Sequence, residues 1–355
     1  MPLKILNEVN YADGLGADRW IGEGLKAAFE DLGHEFYWLE TSRHDLGSRI
    51  SEIRPDIFFT SQSMLTAKNL PVFSRLRKEG GKIVLRVDSF FDSDPEIKNA
   101  LVHGDYADVY YGEVEDPCMD RFKNITGKPY YISPNAAHQR LHFPTEPVEK
   151  YKCDIVFLGA MMPNKREALE ILLLPLIKKY DVKIYGPGWT LTDNTLRFLA
   201  RSARELGFKK INSWISKQRV QIPPEDENKL YSSAKICINI HERGEHIKSH
   251  LILNERTFKI PACGGFEICD FIPPLRRYFT ESEMVMASQP FQERQAAGLE
   301  NLRGEWVRDW FSKVDYYLEH ESERKTIQKY GTERALREHT YVQRVKKMLS
   351  LLRLA

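Results

Sequence analysis

Short runs of β-branched and aromatic residues alternate along this chain with stretches in which apolar residues recur at helical spacing. In the first such stretch, Ile21, Leu25, Ala28 and Leu32 recur in this way and the pattern ends at Gly33. Strands that alternate with helices form parallel sheets with helices on both faces. The strand-like runs fall into two series, at 4–6, 57–60, 83–87, 109–111 and 130–132, and then at 155–158, 182–185, 236–240 and 266–269.

The two series are separated by the proline-marked segment FPTEPVEKYK at 143–152. A chain of 355 residues is longer than one hydrophobic core usually supports. We therefore predict an α/β fold of two Rossmann-like domains, 1–147 and 148–335, whose parallel sheets face each other across a ligand-binding cleft. A final helix over 336–355 is predicted to cross back and pack its apolar stripe on the first domain, with a membrane surface as the alternative. The stripe consists of Tyr341, Val345, Met348 and Leu352.

Composition argues against several classes of function. Lys and Arg total 52 against 50 for Asp and Glu, a balance that creates no field strong enough for nucleic acid to be the main partner. The apolar run at 171–177 is far shorter than a bilayer span, and the first residues lack a signal-peptide layout. The five cysteines are scattered, which favours reduced, buried thiols. We expect a cytoplasmic protein, at the inner face of the membrane if the final helix binds lipid.

The stretch NERTFKIPACGGF at 254–266 is the most informative motif of the chain. A residue before proline is pushed out of the helical region, so a short helix with a polar face is predicted to end near Ile260, before Pro261. The two glycines that follow permit a sharp turn into the strand at 266–269. The N-terminus of such a helix is a natural place for a phosphate. The polar face consists of Asn254, Glu255, Arg256 and Lys259.

This motif, extended as NERTFKIPACGGFEICD, resembles the donor-site region of the CgeB-like group (spore maturation protein CgeB) of GT-B glycosyltransferases, a group similar to families 1 and 4. YSSAKICINIH before it, FIPPLRRYF after it, DIVFLGAMMPNKREALEIL, GPGW and YYLEHESERKTIQKYGTERALREHTYVQRV match the same group in order and spacing. The resemblance implies a GT-B glycosyltransferase of polysaccharide biosynthesis. It implies a UDP- or GDP-linked sugar held by the second domain, an acceptor offered by the first, and neither a metal nor another cofactor. The implied acceptor is a glycan, a lipid-linked sugar or a protein.

Lys259 departs from the family pattern, which has a glutamate at this position. In related transferases that glutamate accepts hydrogen bonds from the donor ribose, whereas a lysine offers three donors and no acceptor. Either another group holds the ribose, with Glu255 and Glu267 the nearest candidates, or the donor is unusual. Alternatively, Glu255 and Lys259 form an ordinary helix pair, four residues apart.

A nucleotide sugar leaves a diphosphate, and without a metal its developing charge must be met by cations and backbone N–H groups. Arg256 is one predicted cation and a predicted catalytic residue. Lys165 and Arg166 are two more, because they lie in the loop after the strand at 155–158, just past Gly159, where a diphosphate can be reached. The alternative is that this pair is only the solvated start of a helix.

Two further loops follow strand ends and are predicted to contact the donor. Gly186 lets the backbone approach the donor closely, and Trp189 covers one wall of the donor site. Alternatively, Gly-Pro-Gly is only an ordinary turn sequence. After the strand at 236–240, His241 and His246 lie five residues apart without a third spaced ligand, so no metal site is predicted. We assign both histidines to the donor sugar or diphosphate, with a mobile loop as the alternative.

The acceptor hydroxyl must lose its proton or share it with the departing phosphate oxygen. Asp13 and Asp88 each follow a strand of the first domain and are the predicted bases, although either could instead cap a helix or a turn. Gly14, Gly16 and His138 are the predicted acceptor contacts. Inverting and retaining courses both remain open, since a carboxylate serves as base in the first and the leaving phosphate can take the proton in the second.

Two other functions stay open at this level. A sugar-nucleotide epimerase of the same architecture would turn over a UDP-sugar without any acceptor. A catalytically inactive sugar-nucleotide-binding or partner protein would bind nucleotide without transferring sugar. Lys259 in place of the family glutamate is compatible with this hypothesis. Nothing in the sequence indicates an oligomeric state.

Overall fold

The computed structural model describes residues 1–9, 17–88, 90–114, 118–163, 165–219, 221–241, 252–287 and 305–354. By its internal contacts the chain divides into two compact units, Met1–Gln139 together with Tyr341–Ala355, and Arg140–Thr340. Each unit is built around a parallel sheet, as the alternation of strands and helices predicted. Within the ranges given above, no helix is both long and apolar enough to cross a membrane.

The first unit contains strands β1 (Lys4–Val9), β2 (Glu35–Glu40), β3 (Ile57–Ser61), β4 (Lys82–Arg86), β5 (Val109–Gly112) and β6 (Tyr131–Ile132). They form a parallel sheet in the order β2-β1-β3-β4-β5-β6. Its helices are α1 (Ala17–Asp31), α2 (Leu46–Ile53), α3 (Leu70–Lys78), α4 (Pro95–His103) and α5 (Cys118–Thr126), with α13 (Tyr341–Leu351) from the end of the chain. Strand β2 was not predicted, because at the sheet edge it is mostly half-exposed and its sequence, EFYWLE, mixes charged and aromatic residues.

The C-terminal helix α13 packs on α1, and its apolar stripe is buried there. The Tyr341 ring lies directly against Gly24, where no room is left for a Cβ atom. The backbone N–H of Tyr341 donates to the carbonyl of Ala137 (3.0 Å). These contacts confirm the predicted packing of the final helix on the first domain, so the stripe is not available to a membrane.

The second unit contains strands β7 (Cys153–Leu158), β8 (Val182–Tyr185), β9 (Ala234–Asn239), β10 (Glu267–Asp270) and β11 (Val285–Ala287), in the parallel order β11-β10-β9-β7-β8. Its helices are α6 (Arg166–Leu172), α7 (Leu191–Glu205), α8 (Lys209–Gln218), α9 (Glu227–Ser233), α10 (Arg256–Ala262), α11 (Glu305–Glu319) and α12 (Glu321–Glu338). Trp310 fills the core and its indole N–H donates to the carbonyl of Leu172 (3.1 Å). The segment at 143–152 belongs to this unit, where the N–H groups of Thr145 and Val148 donate to serine hydroxyls of α9.

Helix α10 differs from its prediction. It begins at Arg256 and continues through Pro261 to Ala262, rather than ending near Ile260. The proline removes one backbone hydrogen bond, but the helix still closes with a bond from the following turn to the carbonyl of Lys259 (2.9 Å). All seven residues of the helix are buried. Packing on every side therefore outweighs the lost bond. Of the predicted polar face, Arg256 and Lys259 are buried, whereas Asn254 and Glu255 precede the helix and are partly buried.

Candidate functional site

Arg256 links the carboxyl ends of two strands of the second sheet. Its Nη1 donates to the carbonyl of Leu158 at the end of β7 (3.1 Å), and its Nη2 donates to the carbonyl of Ile240 just after β9 (3.1 Å). Its Nε donates to the side chain of Asn239 (2.9 Å), and the guanidinium lies over the ring of Phe157. Described residues accept three of its five N–H donors, and the residue is only 9% exposed. The cation is therefore held rigidly where parallel strands end.

A buried asparagine, Asn239, joins α10 to the sheet. Its Oδ1 accepts from Arg256 and from Asn254 Nδ2 (2.8 Å), and its Nδ2 donates to Thr257 (3.2 Å) and to Glu267 (2.8 Å). The Oδ1 of Asn254 accepts from the backbone N–H of Thr257 (3.3 Å), which caps the start of α10. Both ends of the Asn254 amide are thus engaged inside the protein.

Glu267 is the acidic member of this network. It is 3% exposed, and its Oε2 has no hydrogen-bond partner within the described ranges. Burial raises the pKa of the Glu267 carboxyl to about 8, the bond from Asn239 and the charge of Arg256 oppose that rise, and the charge of Asp270 adds to it. At neutral pH the group is therefore mostly a neutral acid, a poor acceptor for the ribose hydroxyls that it was predicted to bind.

His241 follows β9 and is completely buried. Its backbone N–H donates to Asp270 Oδ1 (2.8 Å), its ring Nδ1 lies 2.8 Å from the same oxygen, and its Nε2 lies 3.2 Å from Thr257 Oγ1. The histidine therefore ties β9 to β10 and to α10. His246, its predicted partner, lies outside the described residues. Across the part of the chain that the structure describes, no cluster of three or more His, Cys, Asp and Glu side chains is placed to hold a metal ion.

Lys259 forms a buried ion pair that the sequence did not indicate. Its Nζ donates to Glu227 Oε2 of α9 (2.7 Å), rather than to Glu255. His142 Nε2 lies 3.8 Å from the same carboxylate oxygen. Burial by itself would lower the pKa of the Lys259 ammonium, but the carboxylates of Glu227 and Glu255 outweigh that effect and raise it. The lysine is therefore charged, and an acidic side chain from another element lies beside it.

The loops after β7 and β8 meet at two glycines. Gly159 donates its N–H to the carbonyl of Tyr185 (2.9 Å), and its own carbonyl accepts from the indole N–H of Trp189 (2.7 Å). Gly186, at φ +122°, has the Gly159 backbone so close that a Cβ would overlap it. A Cβ on Gly159 would in turn overlap the guanidinium of Arg256. Both glycines are thus required by close packing of the two loops at the strand ends.

The turn at 186–188 is held by side chains of α7 and of the segment that follows α8. Gly188 donates its N–H to Asp193 Oδ2 (2.6 Å), and Asp193 is paired with Arg219 (2.8 Å). Gly186 donates to Gln221 Oε1 (2.9 Å) and accepts from its Nε2 (3.1 Å). Because these N–H groups are already engaged, the glycines shape the loop and do not offer donors to a phosphate.

The two predicted cations of the loop after β7 have different environments. Lys165 is buried immediately before α6. Arg166, the first residue of that helix, is exposed and forms a pair with Glu170 one turn later (2.8 Å). The geometry of Arg166 is that of a solvated helix start, the alternative that its position also allowed.

A cavity of about 180 Å³ opens at the carboxyl ends of the strands of the first sheet. It lies where strand order places β1 between β2 and β3, the point at which ligands bind in open parallel sheets. Its polar lining includes Glu8, Ser61, Ser63, Arg86 and Tyr111. A single water needs only about 10–15 Å³ of such space, so a small organic ligand fits. Sequence reasoning did not single out any of these residues.

Glu8 is fixed within this cavity by residues of β3. Its carboxylate accepts from Thr60 Oγ1 (2.7 Å), from the Ser61 N–H (2.7 Å) and from Ser61 Oγ (3.0 Å). Burial raises the pKa of Tyr111 to about 12, while Arg86 opposes that rise and Glu113 and Glu8 add to it. The phenol is therefore neutral, and it shares the cavity with a guanidinium and a carboxylate. Such a mixed set of donors and acceptors suits the hydroxyls of a sugar.

The predicted residues of the first domain are not all brought to this cavity. Asp88 is exposed and its Oδ1 accepts from the N–H of Phe90 (2.7 Å), the turn-capping role that was the alternative to a base. His138 is buried, next to the backbone bond between Ala137 and Tyr341. Three further predicted residues lie outside the described ranges: Asp13, Gly14 and Gly16.

A family model described as glycosyl transferase-like matches residues 166–350, just over half of the chain. The sucrose-phosphate synthase of Thermosynechococcus elongatus is similar in structure, with a TM-score of 0.60 and 14% identity over 99% of this chain and 98% of that one. HepE of Anabaena, solved with UDP and glucose, has a TM-score of 0.58 and 12% identity over 99% and 100%. A glycosyltransferase of Rickettsia africae has a TM-score of 0.58 and 11% identity over 100% of both chains. No curated protein sequence matches this chain. The structural likenesses confirm the predicted GT-B fold class, with two parallel-sheet Rossmann-like domains.

Proposed function

The chain belongs to the glycosyl transferase-like family, and from this premise we propose that it transfers a glycosyl group from a UDP-sugar to a hydroxyl of a glycan, lipid-linked or protein acceptor, without a metal ion on the diphosphate. The motif at 254–266 supports placing it in the CgeB-like group. The observation that carries the proposal is the guanidinium of Arg256, buried at the carboxyl ends of β7 and β9, where an anionic ligand of such a sheet binds.

In this mechanism the bond between the anomeric carbon and the diphosphate oxygen breaks while the acceptor oxygen bonds to the same carbon. Negative charge then develops on the departing UDP. Arg256 meets that charge with the two N–H groups that no described residue accepts, helped by the buried ammonium of Lys165. Because three hydrogen bonds already hold the guanidinium, little reorganisation is needed during the reaction. The complexes of HepE with UDP and with UDP-glucose favour UDP over GDP as the nucleotide.

We assign the ribose contact to Glu227. Lys259 replaces the glutamate of the family pattern, and its ammonium holds the Glu227 carboxylate beside that position (2.7 Å). A carboxylate from α9 therefore substitutes for the one missing from α10, and Glu267 is less suited because burial raises its pKa to about 8.

We assign the acceptor to the cavity of the first unit. Glu8, fixed by Thr60 and Ser61, accepts a hydrogen bond from one sugar hydroxyl, while Arg86 and Tyr111 contact others. Asp13 remains the first proposed base. Asp88 is the second, although its Oδ1 already accepts from the N–H of Phe90 and it does not line that cavity. Replacing each by asparagine tests that role, and full activity in both variants would exclude it.

Nucleotide binding gives the first test. Thermal shifts with UDP, GDP, CDP and dTDP should single out UDP, since a ligand at a hundred times its Kd stabilises by about 2.7 kcal/mol. Arg256→Lys keeps the positive charge but loses the planar guanidinium with its fixed N–H donors. It should weaken UDP binding at least about tenfold. The control is Arg166→Ala, where an exposed pair is lost and at most a twofold change is expected, roughly the effect of a surface ion pair. Unchanged UDP affinity in folded Arg256→Lys would remove Arg256 from the donor site.

Turnover separates the remaining functions. Transfer of labelled sugar from UDP-hexose to an added acceptor, with EDTA present, supports the proposal. Interconversion of UDP-sugars without acceptor would instead identify an epimerase, and UDP binding with no turnover across an acceptor panel would identify an inactive binding protein. Activity abolished by EDTA and restored by a divalent cation would refute the metal-independent step.

A further inference from the structure

The helical hairpin formed by α7 and α8 carries an unusual concentration of exposed apolar side chains. Large apolar patches are rare on the surface of soluble proteins and mark interaction sites. The side chains concerned lie on the outer faces of both helices and on the connecting turn, each between 46% and 70% exposed: Phe198, Leu199, Leu206, Phe208, Ile211 and Trp214.

These residues are not needed to hold the hairpin together. The two helices pack through a separate inner face, which buries Ala200, Ala203 and Ile215. At the tip, Gly207 adopts φ +79°, so that the chain reverses tightly between the exposed Leu206 and Phe208. The exposed apolar side chains of the hairpin, called the ridge here, therefore include two, Leu206 and Phe208, that project at its tip.

The same hairpin is strongly basic. Residues 191–219 contain seven Lys and Arg against two acidic residues, whereas the rest of the chain has 45 basic against 48 acidic residues. Asp193 and Arg219 pair with each other and cancel, which leaves six basic residues against one acid, Glu205. Glu205 pairs with Arg201 (2.8 Å). Arg197, Arg201, Arg204 and Lys210 are exposed beside the apolar ridge. An anionic partner is therefore favoured.

We propose that the α7–α8 hairpin docks on the surface of a bilayer that contains anionic lipids. An apolar ridge flanked by cations, with an exposed tryptophan, has the composition of helices that lie in the headgroup region. Basic residues close to an anionic leaflet add attraction that salt screens. A symmetric pairing of two copies through this face would bring the same cations against each other, so a lipid surface is the better partner.

Docking would affect the loop at 186–188, which is predicted to contact the donor, because the hairpin holds this turn. Asp193 of α7 accepts from Gly188, and Arg219, just beyond α8, fixes that carboxylate. The inference itself does not depend on the proposed glycosyl transfer. If that function also holds, lipid-linked acceptors are the class that docking favours.

Sedimentation of the full-length protein with lipid vesicles tests the inference. We expect binding to phosphatidylcholine vesicles that contain roughly 30% phosphatidylglycerol, a surface charge on the scale of anionic leaflets. Binding to phosphatidylcholine alone should be at least about tenfold weaker, and binding should fall in about 1 M salt, where charges are screened beyond roughly 3 Å. Brominated lipid should quench tryptophan emission, and Trp214→Phe should remove most of that quenching.

Substitutions at exposed positions separate apolar burial in the lipid from electrostatic attraction to it, without disturbing the core. The double change Leu206→Ser and Phe208→Ser should lower vesicle affinity at least about tenfold, and Lys210→Gln should lower it about fivefold. Ile177→Ser, at an exposed apolar position (48%) of the same unit outside the hairpin, is the control and should change nothing. The urea unfolding midpoints should all stay at the parent value.

Three outcomes would overturn the inference. The first is vesicle binding that the Leu206→Ser and Phe208→Ser change leaves intact. The second is equal binding to neutral and anionic vesicles. The third is absence of vesicle binding together with a dimer in solution that the double change dissociates, which would assign the ridge to a second copy of the chain.

Discussion

Replacing Glu267 by glutamine should alter how the stability of this protein depends on pH. The native carboxyl is 3% exposed and its Oε2 has no hydrogen-bond partner among the described residues. Burial raises its pKa from an ordinary 4.5 to about 8. In the unfolded chain the same group ionises normally. Between about pH 4.5 and pH 8 the folded state therefore binds more protons than the unfolded state, and raising the pH favours unfolding. The glutamine variant has no proton to lose.

The magnitude follows from these two pKa values. Between pH 5 and pH 8 the linkage amounts to about 3–4 kcal/mol of stability lost by the parent protein through this one group. Glu267→Gln keeps an oxygen that accepts from Asn239 but has no proton to lose. Between pH 5 and pH 8 the free energy of unfolding of the variant should therefore fall about 3–4 kcal/mol less than that of the parent protein. At pH 8 the variant should be the more stable protein.

Urea denaturation at pH 5, 6, 7 and 8 measures the effect, followed by intrinsic fluorescence. Glu281→Gln, at an exposed position, is the control and should lose stability in parallel with the parent. If the parent and Glu267→Gln also run parallel from pH 5 to pH 8, Glu267 is ionised in the folded protein and the reasoning from burial is wrong.

Two further substitutions test the contacts of the second unit. Lys259→Met leaves the Glu227 carboxylate buried without its cation and should cost about 3–5 kcal/mol in urea denaturation, most of it recovered by adding Glu227→Gln; a single variant as stable as the parent would contradict the buried pair. Gly186→Ala should cost about 2 kcal/mol or more, since φ is +122° and a Cβ overlaps Gly159, and should weaken UDP binding with it. An unchanged unfolding midpoint in Gly186→Ala would show that the loops after β7 and β8 separate easily.

The fold was largely accessible from the sequence because its signals are local. Short β-branched and aromatic runs located nine of the eleven strands in the described ranges, helical spacing located α1, and the stripe of α13 correctly indicated a helix that packs on protein. Strand β2 was missed because an edge strand needs no continuous apolar run, and β11 was missed because it is only three residues long. The end of α10 was misplaced because Pro261 acts locally against the helix, while its full burial, which decides the outcome, is a tertiary effect.

The candidate site was less accessible because its geometry depends on partners far apart in the chain. The motif directed attention to Arg256, but not to the carbonyl of Leu158 that it bonds, 98 residues away. Glu8 has no motif at all, and only its bonds to Thr60 and Ser61, more than 50 residues later, make it distinctive. For Lys259 the sequence offered Glu255, four residues away, as one possible partner, whereas the structure places Glu227 there.

The first unit is discontinuous along the chain, and this affects how the protein is made. Residues 341–355 leave the ribosome only after the whole second unit has been synthesised, so the slot beside Gly24 stays uncovered until then. The amino-terminal part of the first unit therefore exposes an apolar surface while the second unit is being made, and that surface is a natural binding site for a holding chaperone. A recombinant fragment of that half would keep the same defect unless α13 were supplied with it.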